Sequence, residues 1–412
     1  MKRVLMIAYH FPPLAGSSGI QRTLRFVQHL PAFGWQPAVL TANVRAYERT
    51  SGDLAADVPE GVLLKRAFAF DAARHLSLAG RYPGFVARPD RWMTWQYDAA
   101  RVGMRLIREW RPDVIWSTYP IATAHLIGAA LHRRSGLPWV ADFRDPMAQE
   151  GYPADPRVWE DFKRIEERAL REARYSIFTT PGAARVYGER YPQSDTRIAV
   201  VENGFDEESF EEIMNGATRE PLNPGCVTLL HSGVVYPSER DPSQLLVALA
   251  QLVANERLHR DQLRLRFRAA GHEAMLTRLA KQNGVLEMLE LLPPIGYRAA
   301  LEEMVRADGL LVLQAANCNE QIPAKLYEYL RAERPILALT DPRGDTAGVM
   351  RDAGLDMIAP LDSARDIGAL LGRFLQQRDS LPIASREHVA RASRRARTQD
   401  LAEFLERTSA GA

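Results

Sequence analysis

The amino-acid sequence predicts an α/β protein of two Rossmann-like, doubly wound domains facing each other across a cleft, and three observations lead there. Short apolar runs, too uniformly apolar for one-sided strands, alternate with segments of helical periodicity from residue 4 to residue 202. After a polar, acidic, turn-rich stretch the same alternation restarts near residue 226. At 412 residues the chain is also too long for one ordinary core. Strands that alternate with helices imply parallel sheets joined by right-handed crossovers.

The run VLMIAY at 4–9 reads as the first buried strand. The loop HFPPLAGSSG follows, and Ile20, Leu24, Val27 and Leu30 then recur at helical spacing. Further strands are expected at 37–42, 62–67, 113–117, 138–143 (PWVADF), 175–180 and 198–202. Helices are expected at 97–110, 121–134 and 158–173, the last heavily charged with Val158, Phe162, Ile165 and Ala169 on one face. Residues 203–225 read as the interdomain segment. In the second half, strands at 226–233, 265–271, 289–292, 309–314 and 335–340 alternate with helices at 242–254, 272–282, 296–306, 323–332 and 345–353. Residues 363–408 are helical and arginine-rich. The resulting division is a first domain 1–205, a linker 206–224, a second domain 225–384 and a final helix 385–412 packing back on the first domain.

Composition narrows the function classes. A hydrophobic share of 46%, a charged share of 25% and a net charge of +2 describe a folded protein with no global pull toward nucleic acid. The opening apolar run is too short for a signal peptide, and no stretch approaches the ~20 apolar residues that cross a bilayer, so the expected location is cytoplasmic. Two cysteines, Cys226 and Cys318, neither staple a secreted fold nor build a metal site alone. No HExxH, DxD, GxSxG or CxxC motif is present, so no metal or resident cofactor is expected.

Four segments could carry chemistry. In Glu320-Gln321-Ile322-Pro323-Ala324-Lys325-Leu326-Tyr327-Glu328, Pro323 suits the first helical position and leaves Glu320 in the preceding loop. The amides of Ala324 and Lys325 then stand at the positive end of the helix, where an anion would answer Lys325; the other reading is a surface Lys325–Glu328 ion pair. The second segment, HSGVVYPSERDP at 231–242, leaves a buried strand through Ser232 and Gly233, with Asp241 as N-cap and Pro242 opening a helix. Arg240 there either holds a diphosphate bidentately or pairs Glu239 or Asp241. Third, Gly16-Ser17-Ser18-Gly19 is a glycine-rich turn without GxGxxG spacing, either a phosphate loop or merely a flexible one. Fourth, Asp142-Phe143-Arg144-Asp145 leaves another strand end and either orients a substrate hydroxyl or forms a structural ion pair.

These residues resemble the retaining glycosyltransferases of family 4, which have the GT-B-type fold, along nearly the whole chain. The resemblance rests on YHFPPLAGSSGIQRTLRFVQHLPAFGWQPAVLTA, LPWVADFRDP, VVENGFDEESF and EQIPAKLYEYLRAERPILAL, the last with the family's Glu-x7-Glu spacing between Glu320 and Glu328. It implies a nucleoside diphosphate sugar donor, a glycan or lipid-linked acceptor and a place in cell-surface polysaccharide biosynthesis. It assigns Glu320 to the donor sugar, Glu328 to ribose hydroxyls, and Arg240 and Lys325 to the leaving diphosphate. Backbone near Ile322, Pro323, Ala324 and Gly233, with Ser232, lies along the donor, and Gly16 and Gly19 let the first loop approach the phosphate. Many members carry histidine where this chain has Phe143-Arg144-Asp145, which leaves Arg144 and Asp145 as candidates for that contact. A nucleotide-sugar epimerase of the same fold and a non-catalytic sugar-nucleotide-binding homologue are the competing readings.

Residues 65–111 hold ten Lys/Arg against four acids, with Trp92, Trp95 and Trp110 among them. Either this face meets an anionic membrane or lipid-diphosphate acceptor at the inner side of a membrane, or it is ordinary solvated arginine.

Overall fold

The structure, a computed structural model, describes residues 1–16, 19–52, 54–77, 82–216 and 220–410. It divides into two units, Met1–Asn203 with Arg394–Ala412, and Gly204–Ser393.

In the first unit, seven parallel strands run β1 (Lys2–Ile7), β2 (Trp35–Ala42), β3 (Leu63–Ala67), β4 (Val114–Thr118), β5 (Trp139–Arg144), β6 (Tyr175–Phe178) and β7 (Ile198–Val200). Their order in the sheet is β3-β2-β1-β4-β5-β6-β7, so the winding reverses between β1 and β4. Alternate side chains serve opposite faces: Leu5, Ile7 and Ile115 enter one core, and Val4, Met6 and Trp116 the other. Both faces are covered, which is why these strands read as continuous apolar runs.

In the second unit, β8 (Val227–Ser232), β9 (Leu263–Arg268), β10 (Leu289–Leu292), β11 (Gly309–Leu313), β12 (Ile336–Leu339) and β13 (Ile358–Ala359) are again all parallel. The order β10-β9-β8-β11-β12-β13 repeats the first sheet's pattern, with the reversal between β8 and β11. Leu229, Leu311 and Leu313 face one core; Leu230, Leu310 and Val312 face the other. Each unit is therefore a Rossmann-like doubly wound domain.

Two expectations need correction, and one strand has no counterpart among those expected. The acidic stretch assigned as linker contains the helix Glu207–Gly216, and Phe205 and Phe210 are fully buried in the second unit's core beside Leu230 and Leu326. Two phenylalanines among the acids make this an amphipathic element, and its apolar face finds a core. The final helix does not run from 385. A short helix Arg386–Arg391 belongs to the second unit, and Arg394–Ala410 to the first. The break follows from hydrogen bonding, because the Ala392 carbonyl accepts from Phe205 N (3.2 Å) instead of continuing the helical ladder. Lastly, β13 is only two residues long, too short for any periodicity to announce it. Helix Arg394–Ala410 packs on helix Gly19–His29, with Leu401, Ala402 and Leu405 buried against Val4, Leu24 and Val27. No helix among the described residues is long and apolar enough to cross a membrane.

Candidate functional site

In a doubly wound domain, ligands bind beyond the carboxyl ends of the strands, at the point of reversal. In the second unit that point lies where β8 ends. Gly233 follows at φ +117°, a conformation that favours glycine. A Cβ there would also sit 3.1 Å from Lys325 Nζ, so glycine clears the space for the lysine. The chain then turns back, with Glu239 N and Arg240 N both donating to the Tyr236 carbonyl (3.1 and 2.8 Å). Arg240 donates to the Val234 carbonyl (2.6 Å), and its guanidinium stands 5.2 Å from the Tyr236 ring centroid. It thus takes neither Glu239 nor Asp241 as a hydrogen-bond partner among the bonds of the described residues. Asp241 is occupied at the next helix, where its Oδ1 accepts from Ser243 N (3.0 Å) and Ser243 Oγ (2.6 Å). That helix starts at Ser243, so Pro242 precedes it instead of opening it.

The loop from β11 to the next helix is tied to this turn. Ala315 N donates to the Glu239 carbonyl (2.7 Å) and Asn317 Nδ2 to the Ser238 carbonyl (3.1 Å). The buried Gln314 amide donates to the Cys318 and Gln321 carbonyls (2.7 and 2.8 Å), while Thr346 Oγ1 bonds Gln314 Oε1. These bonds fix the turn that carries Glu320, which is half-buried. Burial pushes the Cys318 thiol up to about 11, with Glu239, Arg240 and Glu320 all close enough to act on it.

Lys325 opens the helix Lys325–Arg331, two residues later than expected. The entry is tight: Leu326 N and Tyr327 N donate three residues back, to Pro323 and Ala324 (2.9 and 3.3 Å). Pro323 and Ala324 therefore lie in the preceding turn, and the buried Ile322 anchors it. Lys325 Nζ lies 3.1 Å from Nε2 of His231, a residue 1% exposed. Burial and then the Arg240 charge press the Lys325 ammonium well below its ordinary range, and Glu328, one turn on, opposes them only in part. The Ser232 amide donates to the hydroxyl of the fully buried Tyr329 (3.0 Å). Ser232, Gly233, Arg240, Lys325 and Glu328 are thus brought together, and two cations share one strand exit. His231 and Tyr329 belong to the same group; a histidine near the end of an apolar strand, two residues before a glycine, was the only sign of the first. A cavity of about 530 Å³ in the second unit, which none of these residues lines, is bounded by Asp241, Gln244, Gln314, Asp341, Arg343 and Asp362, among others.

In the first unit, Asp142 and Arg144 part company. Asp142 is fully buried and accepts from Arg22 Nε (3.1 Å), Arg22 Nη2 (2.8 Å) and Thr118 Oγ1 (2.8 Å). It is the structural ion pair, with a partner 120 residues away that no local pattern singles out. Arg144 sits at φ +61°, where the β5–β6 register slips, and its carbonyl accepts from Thr179 N and Oγ1 (3.1 and 2.8 Å). Its guanidinium turns toward Gly19, where an added Cβ would collide with both Arg144 and His10. Burial and the Arg144 charge lower His10 to about 3, so its ring is neutral at neutral pH. Asp145 keeps an exposed face, yet the protein packed around it raises its carboxyl. Gly16 takes φ +83° with open space around it, while Ser17 and Ser18 lie outside the described residues. A smaller cavity of about 170 Å³ is lined by Tyr9, His10, Gly16, Glu48, Arg49 and Trp92, among others.

Among the described residues, no group of three or more His, Cys, Asp or Glu converges as metal ligands would. Four of the ten Lys/Arg at 65–111 form ion pairs: Arg88 with Asp161, Arg91 with Glu48 and Asp71, Arg101 with Asp98 and Arg105 with Glu109, of which only Asp161 and Glu48 come from outside the stretch. Arg81 lies outside the described residues. What the sequence did not reveal is that Phe68, Phe85 and Tyr97 are exposed there, Phe85 by 73%.

Residues 18–204 match the family model described as a glycosyl transferase 4-like domain. No curated protein sequence matches the chain. Among solved structures, Alr3699/HepE of Anabaena in complex with UDP is 13% identical with a TM-score of 0.69, over 98% of this chain and 100% of that one. Sucrose-phosphate synthase of Thermosynechococcus elongatus is 13% identical with a TM-score of 0.67, over the whole of both chains. The lipopolysaccharide outer core galactosyltransferase WaaB is 12% identical with a TM-score of 0.60, over 98% and 99%. At such identities the likeness is one of fold, and the fold is GT-B.

Proposed function

We propose that this chain, a GT-B protein whose residues 18–204 are a glycosyl transferase 4-like domain, moves a sugar from a nucleoside diphosphate sugar to a glycan or lipid-linked acceptor with retention of anomeric configuration. The place we propose for it is cell-surface polysaccharide biosynthesis, and the location the cytoplasm or the inner face of a membrane. One observation carries the reading: Lys325 and Arg240 converge at the exit of β8, over a glycine that leaves room for the ammonium. A pair of cations held together against their own repulsion suits a pyrophosphate.

In this reading Lys325 and Arg240 bind the diphosphate oxygens, Glu328 the ribose hydroxyls, and Glu320 lies against the sugar. Ser232, Gly233, Ile322, Pro323 and Ala324 line the donor; in the first unit Gly16, Gly19 and Arg144 go to the donor and Asp145 to the reacting groups. The bond from anomeric carbon to phosphate oxygen breaks, and its electron pair leaves on the diphosphate, where the two cations meet the growing charge. The acceptor oxygen bonds to the anomeric carbon on the same face, and its proton passes to the departing phosphate. No metal is required where two side chains supply the charge.

Thermal-shift titration with UDP, GDP, ADP and their sugars tests the donor class. A nucleoside diphosphate at about a hundred times its Kd should add about 2.7 kcal/mol of stability. Turnover on the responding donor should survive EDTA, and NMR should find the donor's anomeric configuration kept in the product. If none of these ligands moves the transition, the reading is wrong; an inverted product would remove retention alone.

For a lipid-linked acceptor, Phe85 and Tyr97 supply exposed aromatic surface that the paired arginines do not. Vesicles with anionic lipid should sediment the protein, and Phe85→Ser with Tyr97→Ser should release it. Sedimentation indifferent to lipid charge and to both substitutions would leave a soluble glycan as the acceptor.

A further inference from the structure

The site contains a buried histidine that the scheme above does not use. His231 is the penultimate residue of β8, 1% exposed, with its ring 5.8 Å from that of Phe267. Its Nδ1 lies 2.9 Å from the Leu311 carbonyl on the neighbouring strand β11. A carbonyl only accepts, so Nδ1 carries the hydrogen. The other nitrogen, Nε2, lies 3.1 Å from Lys325 Nζ. An amine or ammonium donates there, which leaves Nε2 as the acceptor and the ring neutral.

We propose that His231 is the positioning residue for Lys325: the Leu311 carbonyl fixes its tautomer, and the Nε2 lone pair then holds the lysine nitrogen above Gly233, where a diphosphate oxygen can reach it. A lysine has a flexible four-carbon stem, and its reach alone would not select this spot. Three fixed points do so: β11 orients the ring, the ring orients the ammonium, and the missing Cβ at Gly233 leaves it room. The groups facing the lysine are His231 and Gly233 from the β8 exit, Arg240 from the turn, and Glu328 from its own helix. Burial together with Lys325 keeps the His231 ring from taking a second proton, so the acceptor role persists across the neutral range. One hydrogen bond from Nζ is then taken by His231, and the remaining N–H bonds are free to turn toward an anion. This role rests on the diphosphate reading given above.

Two measurements separate the positioning role from that reading. Nitrogen-15 NMR of the unliganded protein should show His231 as the neutral Nδ1–H tautomer from pH 5 to 8, with an Nε2 resonance that shifts in Lys325→Met. An Nε2–H tautomer, or an Nε2 indifferent to Lys325→Met, overturns the proposal whether or not any nucleotide binds. The second is a double-mutant cycle on calorimetric affinity for the nucleoside diphosphate that wild type binds. Asparagine keeps a donor to Leu311 but places no acceptor at Nε2, so His231→Asn should weaken binding about tenfold. Glutamine can place its oxygen there, and His231→Gln should stay within about threefold of wild type. In a Lys325→Met background the asparagine change should add nothing; a full additive loss would mean that the histidine acts by packing alone. Wild type that binds no nucleoside diphosphate defeats the functional reading and leaves the tautomer result to decide the geometry.

Discussion

Lys325→Met should raise the melting temperature of the unliganded protein while erasing most of the shift that a nucleoside diphosphate produces. Both effects have one origin. In the folded chain, burial and the Arg240 charge hold the ammonium far below its ordinary range, whereas in the unfolded chain it returns to roughly 10.4. The unfolded state therefore binds the proton more tightly, and below that ordinary value the lysine costs stability. That cost shrinks as pH rises from the lowered folded value toward the ordinary one, so the gain from methionine should be larger at pH 7 than at pH 9. Methionine keeps an unbranched apolar stem, one heavy atom shorter, and removes the charge. With ligand the sign reverses, because a charge-assisted hydrogen bond to a phosphate oxygen contributes about 1.5–3 kcal/mol. Losing it weakens Kd by roughly one to two powers of ten. Arg240→Ala should likewise suppress the ligand shift. Nucleotide shifts equal to wild type in both variants would mean that the two cations serve something other than a diphosphate.

Asp142→Ala should destabilise the first unit by about 3–5 kcal/mol, since it strands a buried guanidinium. Arg22 is 3% exposed and Asp142 not at all. Besides the carboxylate, Arg22 bonds the Glu202 carbonyl (3.0 Å) and the Val201 carbonyl (2.9 Å), so one side chain joins helix Gly19–His29, β5 and the segment after β7. All seven tryptophans of the chain lie in the first unit, which makes indole fluorescence a report on that unit. Its transition should fall by roughly 10 °C, at about 2–4 °C per kcal/mol for a domain of this size. Asp142→Leu combined with Arg22→Met should recover most of the loss, because two apolar groups leave no orphaned charge. An Asp142→Ala transition within a degree of wild type would refute the buried-pair account.

The strands were legible because both faces of each sheet are covered, so their apolar runs stand out without alternation. Position along the chain also revealed which residues follow strand exits, and Gly233, Arg240 and Lys325 do meet at one. Partners were not legible. Arg22 looks like any polar residue in a helix until Asp142 is seen 120 residues on, and nothing local ties His231 to Leu311. Helix ends were read one or two residues early at Pro242 and Pro323, since proline favours a first helical position without requiring one. The acidic segment after Asn203 misled for a different reason: its charge is what a solvated surface shows, and two phenylalanines were enough to seat the other face.

The helix Arg394–Ala410 completes a core begun at Val4, with the whole of the second unit between them in the chain. Translation therefore delivers the second unit's residues before the first unit's last helix exists. Until it arrives, Val4, Leu24 and Val27 lack the cover of Leu401, Ala402 and Leu405, so this core closes only after the second unit has been made.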